Sequence, residues 1–171
     1  MAAARRLARQ WVSRSLNEAY FRRDPVAVVT AQGTSARLMV QPTTSLHFVL
    51  HRLAELEEGG ATPLKQGIRM AERLIRQWRE RYPVIDLYVI SDGRSTEPLT
   101  GRELERSLSI LRRFVRHIYV VNPVNQATPF ARSLAALLGG TCLDPGEFLK
   151  VKDNGLEKGS PSAKLKPPFR G

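Results

Sequence analysis

Val84-Ile85-Asp86-Leu87-Tyr88-Val89-Ile90-Ser91-Asp92-Gly93 is a run of apolar, aromatic and β-branched residues closed by a turn dipeptide. Parallel strands lying beneath helices have this composition, because both faces are covered. The stretch therefore predicts a central strand over residues 84–90. On its carboxyl side, Leu104, Leu108, Leu111 and Val115 recur at helical spacing and predict a helix over residues 100–116. Ile118-Tyr119-Val120-Val121 then reads as another buried strand, stopped at Asn122-Pro123. A short helix at 129–138, a Gly139-Gly140 turn and a brief strand, Thr141-Cys142-Leu143, lead on to Glu147-Phe148-Leu149.

The amino side reads the same way. Leu64, Ile68, Ala71, Leu74, Ile75 and Trp78 mark a helix opening at Ala61-Thr62-Pro63. Before it, Leu46, Val49, Leu50, Leu53 and Leu56 mark another, capped by Thr44 or Ser45 and ended by Glu57-Glu58-Gly59-Gly60. Val26 to Ala31 reads as a buried strand. Across Gln32-Gly33-Thr34 it turns into an alternating one, Ala36 to Val40, near a sheet edge and stopped by Pro42. Residues 2–23 have the pattern of an amphipathic helix, with Leu7, Trp11 and Leu16 on one side and arginines on the other. Alternating strands and helices predict an α/β fold: a Rossmann-like, doubly wound, mostly parallel sheet with one antiparallel edge strand and right-handed connections. The domain spans residues 1–149. Residues 150–171 are rich in Lys, Gly, Ser and Pro and read as a basic disordered tail.

With 171 residues, the chain has the length of one ordinary domain. No apolar run is long enough to span a membrane and no apolar signal core opens the sequence, so a cytoplasmic protein is expected. The single cysteine, Cys142, permits no internal disulfide, and three histidines make no zinc framework with it. The formal charge of +11 favours an acidic partner: nucleic acid, an acidic protein face or anionic lipid.

In an open α/β sheet, ligands collect beyond the carboxyl ends of the strands. Two features fall there: the Gly59-Gly60-Ala61-Thr62-Pro63-Leu64 loop, which brings Thr62 to a helix start, and Asp92, just past the most apolar strand. A hydroxyl and a carboxylate are hard oxygen donors suited to Mg²⁺. Each also has a plain structural use. Thr62 before Pro63 makes a helix cap with proline at the first helical position, and Asp-Gly is a common turn.

The order of these segments resembles a von Willebrand factor A domain over residues 1–149: a hairpin, a helix, Gly-Gly-Ala-Thr-Pro-Leu opening a helix, and Ile-Ser-Asp-Gly ending a strand. The wording of Arg22-Arg23-Asp24-Pro25-Val26-Ala27-Val28-Val29 and of Ser91-Asp92-Gly93-Arg94 looks most like the carboxy-terminal domain of the magnesium-chelatase D subunit. That resemblance implies a metal-ion-dependent adhesion site, in which Thr62 and Asp92 match the family's threonine and aspartate. The family's Asp-x-Ser-x-Ser motif and the first, central strand before it are missing, and Met1 matches the methionine that follows the motif. The expectation is thus a domain truncated before its first helix, lacking three of five usual site positions and binding Mg²⁺ weakly or not at all. Its two flanking strands would have no shared neighbour. The implied role is interaction: coupling to an AAA ATPase, and possibly to a large porphyrin-binding chelatase subunit, through a partner's Asp or Glu that completes the metal site. ATP hydrolysis and metal insertion into a tetrapyrrole would be performed by the partner subunits. The alternatives are a general AAA-partnered adapter outside porphyrin metabolism and a basic nucleic-acid-binding protein.

Other constellations carry less. His47, His51 and Glu55 share one flank of a helix beside its leucine stripe, where half-exposed polar residues are expected. Lys65 lacks the glycine spacing of a phosphate-binding loop. No order of residues suggests a nucleophilic triad, so catalysis by this chain alone is not expected. Arg5, Arg6, Arg9, Arg14, Arg22 and Arg23, with Arg76, Arg79 and Arg81 and the tail lysines, could follow a phosphate backbone. Most of them fall on solvated helix faces, with no recognition helix or stacking aromatics, so nucleic acid is not the expected partner.

Overall fold

The computed structural model describes residues 16, 17, 19–56, 61–123 and 128–143. The expected helix before residue 16, the Gly59-Gly60 turn, residues 144–149 and the tail lie outside the described residues; residues 16, 17 and 19–22 are helical. Strands β1 (Val26–Gln32) and β2 (Ser35–Thr43) form an antiparallel hairpin. Gly33 turns it at a φ of +69°, a conformation that costs glycine nothing. Pro42 does not stop β2. The register shifts between the Val26–Thr43 and Val28–Val40 pairs, so Pro42 sits at an irregularity where its missing N–H breaks no regular ladder.

Helix α1 (Leu46–Ala54) starts at Ser45, whose hydroxyl accepts the Phe48 N–H at 3.4 Å. Its Val49 is buried with Val40 and Leu16, making a small core on one face of the hairpin. Helix α2 (Leu64–Trp78) packs on the other face, where Gly67 leaves room for Ala31: a Cβ at Gly67 would lie 3.1 Å from the Ala31 Cβ.

A second sheet contains β3 (Asp86–Ile90), β4 (His117–Val121) and β5 (Thr141–Leu143), all parallel, in the order β3-β4-β5. Helices α3 (Arg102–Phe114) and α4 (Pro129–Leu138) connect these strands. Leu104, Leu108 and Leu111 of α3, Leu134 and Leu138 of α4, and Ile68 and Ile75 of α2 close over Ile118 and Val120 in the main core. Each large buried aliphatic there contributes roughly 2 kcal/mol. The architecture is α/β and Rossmann-like.

Among the described residues β4, not β3, holds the middle place of this sheet. β1 and β3 belong to separate sheets, each with one edge that has no ladder partner among the described residues, the arrangement expected of two strands that lack their shared neighbour. Helix α2 packs on both sheets, touching β1 and β2 and contributing to the main core. For the same reason β1 is half-buried rather than covered on both faces, and Ala27 is exposed.

Candidate functional site

The carboxyl end of β3 is fastened before it reaches Asp92. Ser91 is buried; its N–H continues the sheet by donating to the Val121 carbonyl at 3.1 Å, and its hydroxyl accepts the Gly93 N–H at 3.1 Å. Asp92 is half-exposed. Its Oδ1 accepts the Arg94 N–H at 3.0 Å, forming an Asx turn, while the Arg94 guanidinium stands 3.8 Å from Oδ2. The Asp92 carbonyl accepts the Thr128 hydroxyl at 2.8 Å. That same Thr128 oxygen accepts the Ala131 N–H and so caps α4. One threonine thus joins the Asp92 loop to a helix start.

Gly93 makes the contact close. Its φ is +83°, and a Cβ there would lie 2.2 Å from the Phe130 carbonyl carbon. No larger residue fits against the first turn of α4 without moving it.

Thr62 lies on the neighbouring loop. Contrary to expectation, its hydroxyl does not cap α2. The cap position is the buried Pro63, which forms no side-chain cap bond. Glu97 does that work from 31 residues away: its Oε1 accepts the Gln66 N–H at 3.2 Å. The Thr62 carbonyl accepts the Thr96 N–H at 3.1 Å, so the loop after β3 is bonded to the start of α2 at two points. The Gly33 N–H donates to the Ala61 carbonyl at 2.9 Å and ties the hairpin turn to the same edge. The two loops carrying Thr62 and Asp92 are therefore one connected structure.

Thr62 and Asp92 are hard oxygen donors, the kind Mg²⁺ prefers. In number they fall short. Among the described residues no three His, Cys, Asp or Glu side chains converge, and the Asp92 carboxylate already faces Arg94. The donor set does not fit a resident ion by itself. His47, His51 and Glu55 do not form a centre either; His51 pairs with Glu55 at 3.4 Å on an exposed flank. Cys142 is half-buried on β5.

Sequence reasoning missed Thr128 and Glu97. Thr128-Pro129 carries the same cap-then-proline signature as Thr62-Pro63, and it is Thr128 that caps a helix. Glu97 gives no local signal, since its partner is on another element.

At the opposite end of the sheet, Asp86 accepts Arg116 through both carboxylate oxygens and lies 3.1 Å from His117 Nδ1. Burial alone would raise the Asp86 pKa; the hydrogen bond and charge of Arg116, joined by His117, hold it below its ordinary value.

A family model for the von Willebrand factor type A domain matches residues 1–94, a stretch that includes both Thr62 and Asp92. The 60 kDa magnesium-chelatase subunit of Cereibacter sphaeroides is 40% identical over 86 residues, covering 50% of this chain and 15% of that protein. The subunit of the same name from Rhodobacter capsulatus is 37% identical, again over 50% of this chain and 15% of its own length. A solved von Willebrand factor type A structure from Catenulispora acidiphila superposes with a TM-score of 0.53 at 16% identity, over 77% of this chain and 33% of that one. That likeness is one of fold.

Proposed function

The chain belongs to the von Willebrand factor type A domain family, and from that premise we propose that it is the protein-interaction domain of an assembly resembling magnesium chelatase. It couples there to an AAA ATPase partner, and to a large porphyrin-binding subunit, during metal insertion into a tetrapyrrole. On this reading the chain does no chemistry of its own, and the ATPase lies in the partner. The similarity to two magnesium-chelatase subunits supports the assembly, although the match spans only about 15% of their length. The observation that carries an interaction role is the bonding of the Thr62 loop to the Asp92 loop, which holds a half-exposed carboxylate on a rigid edge.

Thr62 and Asp92 are the oxygens this chain would offer to Mg²⁺, with the remaining donors coming from a partner's Asp or Glu or from outside the described residues. We place the domain at residues 1–149 with a tail at 150–171, and the protein in the cytoplasm. No described helix is long and apolar enough to cross a membrane.

The test is co-purification of the tagged chain with the AAA ATPase and the porphyrin-binding subunit of the same cell, in Mg²⁺ and in chelator. Recovery of the ATPase supports the reading, and recovery of both proteins supports the chelatase form of it. Recovery of neither overturns it.

A further inference from the structure

The ends of α2 and α3 farthest from Asp92 gather arginines that no carboxylate of the described residues neutralises. On these helices Arg69 pairs with Glu103 and Arg76 with Glu72, and past α3 Arg116 pairs with Asp86, whereas Arg73, Arg102, Arg106 and Arg112 stand in no ion pair with a carboxylate among the described residues. Arg79, Arg81 and Arg113 are in no such pair among the described residues, and neither is their sequence neighbour Glu80. Arg79 closes α2, and Arg113 and Phe114 close α3. Both guanidiniums lie over the ring of Phe114, with Cζ 4.5 Å (Arg79) and 5.2 Å (Arg113) from its centroid. Phe114 is half-buried against the main core, so the ring is a fixed platform. Beside it Arg81 covers the ring of Tyr82 at 5.6 Å.

A guanidinium lying on a ring keeps its N–H groups at the edge of its plane, where they can meet a carboxylate through two bonds. Two like charges gathered on one ring repel each other, and a bound anion offsets that repulsion. The same stacking argues against nucleic acid, whose bases would need aromatic faces that arginines already cover here. We propose that this end of the molecule is a docking surface for an acidic, Asp- and Glu-rich segment of a partner protein, gripped by Arg79 and Arg113 on the Phe114 platform. The surface does not depend on the Thr62–Asp92 edge, which lies at the other end of the strands.

The test measures fluorescence anisotropy of a labelled oligoglutamate peptide, with a labelled oligothymidylate of equal charge alongside it, titrated with the full chain. Arg79→Gln/Arg113→Gln is compared with Arg102→Gln/Arg106→Gln, which removes the same charge from the other end of α3. Losing two partly exposed charge pairs weakens peptide binding about tenfold in the first variant, against less than about twofold in the second. Arg79→Lys/Arg113→Lys keeps the charge and lacks the planar fork, and should also bind weakly. Equal losses in the two glutamine variants, full binding by the lysine variant, or tighter binding of oligothymidylate than of peptide would each overturn the proposal.

Discussion

Replacing Gly93 with alanine should be among the most damaging small changes in the chain, and the structure gives the size of the effect. At a φ of +83° an alanine is strained by about 1–2 kcal/mol before it touches anything. Its Cβ would then stand 2.2 Å from the carbonyl carbon and 2.3 Å from the oxygen of Phe130, and 2.4 Å from the Ala131 nitrogen. These are backbone atoms of α4, so no flexible side chain can swing away. Relief requires α4 to retreat, which strains the Thr128–Asp92 hydrogen bond and disturbs the buried Ala131 and Leu134. A lost hydrogen bond costs about 1 kcal/mol and disturbed packing about 1–3 kcal/mol. The expected loss is thus about 3–6 kcal/mol, much of the stability of a domain this size. Gly33→Ala supplies the control: its φ is similar, +69°, but nothing lies within 4 Å of a Cβ there. It should lose only about 1–2 kcal/mol from backbone strain. Urea unfolding followed by circular dichroism measures both. Equal losses in the two variants would refute the claim that α4 clamps the Asp92 loop.

Three further outcomes follow from the geometry. Thr62→Ala should change unfolding free energy by less than about 0.5 kcal/mol, because Thr62 caps nothing; a loss near 1 kcal/mol would restore its capping role. Glu97→Ala should cost about 1 kcal/mol in the same unfolding assay, since it strips the cap from the first turn of α2. Asp86 is held below its ordinary pKa of 3.8, so its contribution to stability is complete above that value and is lost as pH falls through the lower folded-state value. Unfolding free energies measured across the acid range should therefore fall less steeply in Asp86→Asn than in the wild type.

The sequence made some elements legible and hid others for identifiable reasons. Leu104, Leu108 and Leu111 lie on one stripe and all end in the core, so α3 could be read from periodicity alone. The same holds for β4, where Ile118 and Val120 face the helices while Tyr119 and Val121 face the other side. Local pattern did not reveal what lies beside a strand: Leu87 and Val89 fit a central strand, yet among the described residues β3 has a ladder partner on one side only. Pro42 misled because a proline ends a regular ladder, whereas here it falls at a register shift. At the candidate site, Thr62 and Asp92 were found from loop position, and the structure ties their loops together. The parts that do the tying, Thr128 and Glu97, act across 36 and 31 residues, beyond the reach of a local reading.

The most direct test of the account is binding of the purified AAA ATPase partner to the immobilised chain, wild type against Asp92→Asn. Asparagine keeps the oxygen that accepts the Arg94 N–H, so the turn survives and only the negative charge is lost. The account predicts saturable binding by the wild type that weakens about tenfold or more in the variant, a difference of about 1.4 kcal/mol. No binding by the wild type, or equal binding by both, would contradict it.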